Sequence, residues 1–139
     1  MMPWTTDLET GNQIIDEEHM QLLDVLNAID IATQKNKQRA FRKDLVIGML
    51  YLTKRHFATE QMLMIEHSYE MAAHHIKEHA NMLAKFEMMV GKFDEHGPEA
   101  VSDFFAKWLR KHLFSEDMQL AQWIQFRQCL DVMLSLIHI

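Results

Sequence analysis

Nine histidines stand in this chain of 139 residues, and several of them fall inside apolar helical stripes. An imidazole in a protein core is costly unless its ring nitrogens find partners. A bound metal ion removes that cost, because a ring nitrogen then becomes a ligand. The residues that could meet at one such site are five histidines and two carboxylates: His19, His56, Glu60, His75, His79, His112 and Asp117.

The spacing of these residues indicates how they could converge. Two pairs are separated by four residues, so that each pair projects from one helix face: His56 with Glu60, and His75 with His79. His112 and Asp117 are five residues apart, which is about 140° on a regular helix. They can converge only if the helix ends or bulges between them, and a π-turn there would be a functional irregularity of a known kind.

The number and type of donors favour two six-coordinate metal ions. Seven ligands are too many for one tetrahedral zinc, and the single cysteine, Cys129, excludes a Cys-based zinc site and an internal disulfide. If both carboxylates bridge and an oxide or hydroxide also bridges, all but one of the octahedral positions are filled. Nitrogen and oxygen donors without thiolate are compatible with iron and an open position.

Helices must position these residues, because turn-forming residues are scarce. Between Asn12 and Val90 there is one glycine and no proline. Breaks are predicted at 34–38, near 66–68 and between Gly91 and Pro98. Apolar residues recur three or four positions apart in each segment. The predicted fold class is therefore all-α, an up-down-up-down four-helix bundle with a short C-terminal helix at about 118–134.

Composition and charge indicate which partners the protein is poorly suited to bind and where in the cell it is expected. Fourteen Lys and Arg against twenty Asp and Glu give a formal charge of −6, a poor balance for binding nucleic acid or an anionic membrane. The sequence shows no signal-peptide pattern and no run of about 18 apolar residues, so a cytoplasmic protein is expected. One domain is expected at 1–134, with 135–139 a tail compatible with a cloning or sequencing scar. A monomer is expected, because no exposed heptad seam is evident.

The chain resembles the hemerythrin family in its single-domain bacterial form, from Trp4 to about Trp123. A lone HxxxE or HxxxH pair arises easily by chance on a helix, whereas all seven positions in the family's order and spacing are a strong signal. The resemblance is carried by Trp4 and Gly11 leading to Ile15-Asp16-x-x-His19, by His56-Phe57-x-x-Glu60, by His75-x-x-x-His79 followed by Phe86, and by Trp108-x-x-x-His112-x-x-x-x-Asp117.

The resemblance implies a non-haem centre of two Fe ions joined by an oxo or hydroxo bridge. One iron would be held by three histidines (His75, His79 and His112) and the other by two (His19 and His56). Glu60 and Asp117 would bridge, and the two-histidine iron would keep the open position. The implied function is reversible O₂ binding there, for oxygen storage, delivery or sensing, and not enzymatic turnover.

Reversible binding requires a dry pocket with no acid beside the open position. The predicted pocket wall consists of apolar residues next to the ligands in sequence: Leu22, Phe57, Trp108 and Phe114. The alternative is a di-iron enzyme with peroxidase or NO-handling activity, for which NO and other small molecules would be ligands. The Glu-x-x-His pairs of ferritin-like oxygenases do not occur here, although a weak peroxidase side activity stays open.

The other histidines and acidic residues are interpreted as surface groups. Solvated surface positions are expected for four histidines: His67, His74, His96 and His138. The acidic runs at 16–18 and 94–95 are expected to be solvated faces. A bundle without metal is the remaining structural interpretation.

Overall fold

The computed structural model describes residues 2–137, apart from the side chains of Glu95, His96, Pro98, Leu113 and Phe114. The α-helices are α1 (Gln13–Gln34), α2 (Arg39–Glu66), α3 (Ala72–Gly91), α4 (Phe93–Trp108) and α5 (Met118–Ile137). A 3-10 turn at Thr6–Leu8 precedes α1, and a π-helix at Leu109–Asp117 joins α4 to α5. No strand occurs among residues 2–137, and the predicted all-α class is confirmed.

Helices α1 to α4 form a bundle in which consecutive helices run antiparallel. Helices α1 and α3 each pack against α2 and α4. Ile15, near the start of α1, shares an apolar cluster with Leu63, near the end of α2. Ile29, later in α1, shares the other cluster with Val46, near the start of α2. Contacts from α2 to α3 and from α3 to α4 show the same reversal of direction.

The helix ends follow local signals in the sequence. The Asn12 side chain accepts a hydrogen bond from the Ile15 amide at 3.1 Å and so caps the start of α1. The breaks predicted at 34–38 and near 66–68 are confirmed, since α1 ends at Gln34 and α2 ends at Glu66. The third predicted break lies at Gly97, where φ is 77° and ψ is 169°. Helix α4 is thus two helical pieces, and the second piece leads to the π-helix.

Replacement of Gly97 by alanine is expected to lower the free energy of unfolding by about 1–3 kcal/mol, because a residue with a Cβ is strained in this conformation. A Cβ at position 97 meets no atom within 4 Å, so a steric clash does not contribute. Gly48 is the matched control, because it lies inside α2 and a Cβ there also meets nothing within 4 Å. Gly48→Ala should raise stability by about 1 kcal/mol. Urea unfolding measures both variants, and equal effects would contradict the prediction.

The C-terminal helix differs from the short, separate element that was expected. Helix α5 has 20 residues and continues from α4 through the π-helix without leaving helical backbone angles. The physical reason is that no glycine or proline follows Pro98 in the sequence, so nothing interrupts the helix. Residues 135–137 of the predicted tail extend α5 and are exposed, while His138 and Ile139 lie outside the described residues.

Two apolar clusters fill the bundle and leave a polar layer between them. The larger cluster includes Leu22, Leu26, Met49, Phe86 and Phe105. The smaller cluster is formed by Ile15, Leu63, Met64, Tyr69, Leu120, Ala121 and Ile124. Residues of the polar layer therefore have packed apolar side chains on either side along the bundle axis. Every helix within residues 2–137 is too short or too polar to span a bilayer.

Candidate metal centre

The structure brings all seven predicted ligand residues into the polar layer of the bundle. Each of them is at most 5% exposed to solvent. The contributing residues are His19 from α1, His56 and Glu60 from α2, His75 and His79 from α3, and His112 and Asp117 from the π-helix. Burial of so many titratable side chains in one place requires mutual pairing or a bound cation.

The π-helix explains how His112 and Asp117 reach the same centre. A regular helix would separate positions five residues apart by about 140°. The i→i+5 pattern of the π-helix at Leu109–Asp117 brings such positions onto one face. Of the two alternatives that the spacing left open, a helix end or a bulge, the structure contains the bulge, and it lies between the two ligand residues.

His19, His56 and Asp117 form the first group of donor atoms, here called the two-histidine group. The Nε2 atom of His19 lies 2.8 Å from Oδ2 of Asp117 and 3.2 Å from Nε2 of His56. The Nε2 atom of His56 lies 3.1 Å from the same Asp117 oxygen. Ligands that lie side by side about 2.1 Å from an octahedral ion are about 3.0 Å apart, so these separations fit one ion.

The second group, here called the three-histidine group, contains His75, His79, His112 and Asp117. The Oδ1 atom of Asp117 lies 3.0 Å from Nε2 of His75 and 3.9 Å from Nε2 of His112. The donor atoms of this group lie within 4.8 Å of one another. The group could therefore hold a second metal ion.

The two carboxylates lie between the groups. Asp117 directs Oδ2 to the two-histidine group and Oδ1 to the three-histidine group. The Oε1 atom of Glu60 lies 3.0 Å from Nε2 of His56 and 3.3 Å from Nε2 of His79. Its Oε2 atom lies 3.5 Å from Nε2 of His75. Each acid thus contacts histidines of both groups.

The buried polar atoms at this centre are not satisfied by the protein alone. Several nitrogen and oxygen atoms that could bind a metal are inaccessible to solvent and have no aligned hydrogen-bond partner. They are both Oε atoms of Glu60, Nε2 of His75, His79 and His112, and Oδ1 of Asp117. A buried polar atom without a partner costs about 1–3 kcal/mol. These atoms converge on the space between the helices, so the residues present fit bound metal cations.

The surroundings shift the pKa values of Glu60 and Asp117 in opposite directions. Burial raises the pKa of Glu60 well above its ordinary range, and the neighbouring charge of Asp117 adds to this. Burial also acts to raise the pKa of Asp117, but hydrogen bonds from His19 and His56, together with the nearby Nε2 of His75, outweigh it and hold the pKa well below the ordinary value. Asp117 is therefore a carboxylate at neutral pH, ready to bind cations.

Burial lowers the pKa of two histidines of the three-histidine group, to about 2 for His79 and about 4 for His112. Neighbouring His75 adds to the shift at both, and Asp117 opposes it. Both rings are neutral at pH 7, the form in which an imidazole binds metal. The pKa of His56 is shifted upward, because attraction to Glu60, Asp117 and Glu18 outweighs burial.

The metal-free protein is expected to lose stability as pH falls below about 6.5, the ordinary pKa of histidine. The unfolded chain takes up protons there that neutral His79 and His112 do not, so the unfolded state gains stability. Buried His19 shifts in the same direction. The raised pKa values of Glu60 and Glu116 oppose the trend, but three lowered histidines outweigh these two acids. The raised pKa of His56 affects stability only above pH 6.5. The expected slope is about 1.4 kcal/mol per pH unit for each uncompensated histidine between pH 6.5 and 4. Urea unfolding across this range measures it, and a stability that is flat or rises toward pH 4 would contradict it.

Glu18 was expected on a solvated face, but this expectation is wrong. Glu18 is 8% exposed, and its Oε1 accepts a hydrogen bond from Nδ1 of His56 at 2.8 Å. Its Oε2 accepts from the Thr59 hydroxyl, also at 2.8 Å. The sequence held a signal for this, because position 18 lies three residues after Ile15 and four before Leu22 in the apolar stripe of α1. Asp16 of the same run accepts hydrogen bonds from Thr10 and so ties down the chain before α1.

The histidines that were predicted to lie at the surface differ in their solvent exposure. His74 is exposed as expected and has Nε2 3.7 Å from Oε1 of Glu116. His67 is half-buried at the end of α2, where its carbonyl accepts a hydrogen bond from the Trp123 indole at 2.8 Å. The side chain of His96 and the whole of His138 lie outside the described residues.

Apolar and aromatic side chains pack against the three-histidine group. The Phe57 ring stacks on His79, with centroids 3.7 Å apart, and Trp108 stacks on His112 at 4.8 Å. Leu22 and Phe57 are nearly inaccessible and belong to the larger apolar cluster, against which Trp108 also packs. The fourth predicted wall residue, Phe114, has a side chain outside the described residues.

Comparisons with known proteins agree with this arrangement. The family profile described as "Hemerythrin HHE cation binding domain" matches residues 10–124, which includes all seven predicted ligand positions. The chain is 27% identical over 129 residues to a protein named Bacteriohemerythrin from Stenotrophomonas maltophilia, covering 90% of this chain and 82% of that protein.

Two further relatives carry the same name. The one from Pseudomonas paraeruginosa is 27% identical over 116 residues, which cover 82% of this chain and 75% of the relative. The one from Campylobacter jejuni is 21% identical over 121 residues, which cover 85% and 91%. The family resemblance found in the sequence is confirmed, and the chain belongs to the hemerythrin HHE cation-binding family.

Proposed function

We propose that this chain binds O₂ reversibly at a non-haem di-iron centre, for oxygen storage, delivery or sensing. The observation that carries the proposal is the division of Asp117 between two groups of histidines, with one carboxylate oxygen toward each. A single mononuclear site would not require an acid shared in this way. The second acid, Glu60, lies between the same two groups.

The proposed ligands follow from this division. His19 and His56 would hold one iron, and His75, His79 and His112 would hold the other. Glu60 and Asp117, which lie between the two groups, would bind both ions. The support is the donor set, which contains nitrogen and oxygen atoms without thiolate, and the orphaned atoms that converge between the helices. Because one group has two histidines and the other three, the iron held by two histidines would have the position for O₂.

A pair of reduced iron ions with one open position supplies both the electrons and the vacancy that O₂ binding needs. The contribution of the protein is to keep the centre dry. Leu22 follows His19 of the two-histidine group by one helical turn within the apolar core, and Phe57 and Trp108 stack on rings of the adjoining three-histidine group. These side chains exclude water from the centre, which favours release of O₂ over its further reduction.

Repeated O₂ cycles on the reduced, iron-loaded protein test this proposal. Addition of O₂ without excess reductant should produce a visible absorption band, and removal of O₂ should abolish it over several cycles. The zinc-loaded protein is the control, because zinc has no redox chemistry and should give no band. One-way conversion to a stable ferric form, or steady turnover with peroxide or NO at substantial rates, would overturn the carrier proposal and favour an enzyme.

A further inference from the structure

We propose that Glu116 is a positioning residue that holds His112 by its outer ring nitrogen and so sets the donor strength of the three-histidine group. The inference rests on the proposed di-iron function, since it concerns how one of its proposed ligands is held. Among the described residues, Glu116 lies within 4.0 Å of a ring nitrogen of His112 and of the exposed His74, and of none of the other proposed ligand histidines. Its role would be exerted through His112.

The geometry places an acid at each nitrogen of the His112 ring. Nδ1 of His112 lies 3.2 Å from Oε2 of Glu116, while Nε2 faces Asp117 Oδ1 at 3.9 Å. The Glu116 oxygen is buried and has no aligned hydrogen-bond donor, so His112 Nδ1 is the donor within reach. A hydrogen bond from Nδ1 of His112 would satisfy this buried oxygen of Glu116. The Nδ1–H tautomer leaves Nε2 free to bind metal.

The other oxygen of Glu116 points away from the centre. Oε1 lies 3.7 Å from Nε2 of His74, whose side chain is 56% exposed, and Glu116 itself is 23% exposed. His112, Glu116 and His74 thus form a line from the buried centre to the surface. Glu116 connects the metal ligand to groups that solvent can reach.

The same arrangement occurs on the opposite half of the centre, where Glu18 accepts from Nδ1 of His56 at 2.8 Å. The side chain of Glu18 is only 10% exposed, and Thr59 holds its second oxygen. One acid on α1 and another in the π-helix therefore support one histidine in each group. This repetition is independent evidence that an outer carboxylate is part of how the ligands are held.

A carboxylate at the outer nitrogen has two physical consequences for a ligating imidazole. It fixes the ring orientation and tautomer, and it makes the inner nitrogen a stronger donor. A stronger donor favours the more highly charged, oxidised metal. Loss of the negative charge at position 116 should therefore favour the reduced pair, and loss of the acceptor should loosen the metal.

The two consequences can be separated with two substitutions. Glu116→Gln keeps an acceptor oxygen and removes the charge, whereas Glu116→Ala removes both. Glu66→Gln is the matched control, because Glu66 is an exposed residue at the end of α2. His74→Gln tests the outer contact and should change each readout by less than about fivefold, as for other exposed pairs. Helical circular dichroism of each metal-free variant verifies folding.

In the iron-loaded protein, Glu116→Gln should shift the balance of oxidised to reduced centre about tenfold toward the reduced form, which is about 59 mV in a one-electron midpoint potential. Glu116→Ala should lower metal affinity by about 10–100-fold, measured by transfer to a chelator. If both variants match Glu66→Gln in potential and affinity, while the unmodified protein holds its iron pair, the role of Glu116 is refuted and the di-iron proposal stands.

A third readout does not depend on iron. In the metal-free protein at neutral pH, the ¹⁵N spectrum of the His112 ring, assigned by its loss in His112→Gln, should show a proton on Nδ1. Glu116→Gln should keep that tautomer, and Glu116→Ala should shift it toward Nε2–H. A His112 ring protonated on Nε2 in the unmodified protein, or one unaffected by Glu116→Ala, would overturn the inference even if no iron binds.

Discussion

Replacement of Asp117 by alanine is expected to abolish binding of both proposed metal ions. Asp117 is the residue that the two-histidine and three-histidine groups share, and each of its oxygens faces one group. The side chain is fully buried, so water cannot readily supply the missing ligands. The residue lies at the end of the π-helix. In the described centre, Glu60 is the other acid that contacts both groups.

Metal analysis after iron loading and gel filtration measures this effect. Asp103→Ala is the matched control, because it removes an exposed acid from α4 and should leave the metal content unchanged. His19→Ala is the informative comparison, since His19 belongs to the two-histidine group alone. It should weaken the metal of that group more than the other. Full metal content in the folded Asp117→Ala variant would show that the acid is not a shared ligand.

Removal of metal from the loaded protein is expected to lower the free energy of unfolding by at least about 5 kcal/mol. The metal-free centre leaves several buried nitrogen and oxygen atoms without partners. Each costs about 1–3 kcal/mol, and metal binding to the folded state alone adds stability by mass action. For a chain of this length the difference corresponds to a rise in Tm of about 15 °C.

Calorimetry of matched loaded and chelated samples measures the difference. The Asp117→Ala variant is the control, because a protein that cannot hold the metal pair should show no metal-dependent rise in Tm. Readdition of the metal to the chelated protein should restore the original Tm. The same Tm for loaded and chelated protein would mean that the centre is a stable polar core without metal.

Much of the fold and centre could be predicted because the ligand pairs follow helix geometry. Pairs four residues apart, such as His75 and His79, must share a face wherever the chain is helical. The five-residue gap from His112 to Asp117 departs from that rule and predicted either a helix end or a bulge, and the structure contains the bulge as a π-helix. A departure from regular ligand spacing thus indicated where the helix is irregular.

The outer acids could not be predicted from residue type. Glu18 was assigned to solvent because charged residues are rarely buried without a partner. Its partner, Nδ1 of His56, is on another helix 38 positions away, and sequence spacing does not show such a contact. Glu116 is next to Asp117 in sequence, and the position of each residue around the helix was uncertain there. The sequence therefore did not show which of the two acids faces the centre and which contacts the outer nitrogen of a histidine.

The continuous helix from α4 to α5 was also missed, for a related reason. A π-helix adds rotation between the apolar stripe of α4, which includes Phe105, and that of α5, which includes Leu120 and Ile124. In sequence this shift of phase looks like the end of one helix and the start of another. Tertiary packing of both stripes on the bundle keeps the backbone helical throughout.

Anomalous X-ray diffraction at the iron edge, from crystals of the iron-loaded protein, tests directly whether two metal ions share Asp117. Two anomalous peaks are expected inside the bundle, one beside His19 and His56 and the other beside His75, His79 and His112, with Asp117 between them. A single peak, or peaks that lie away from Asp117, would contradict this expectation.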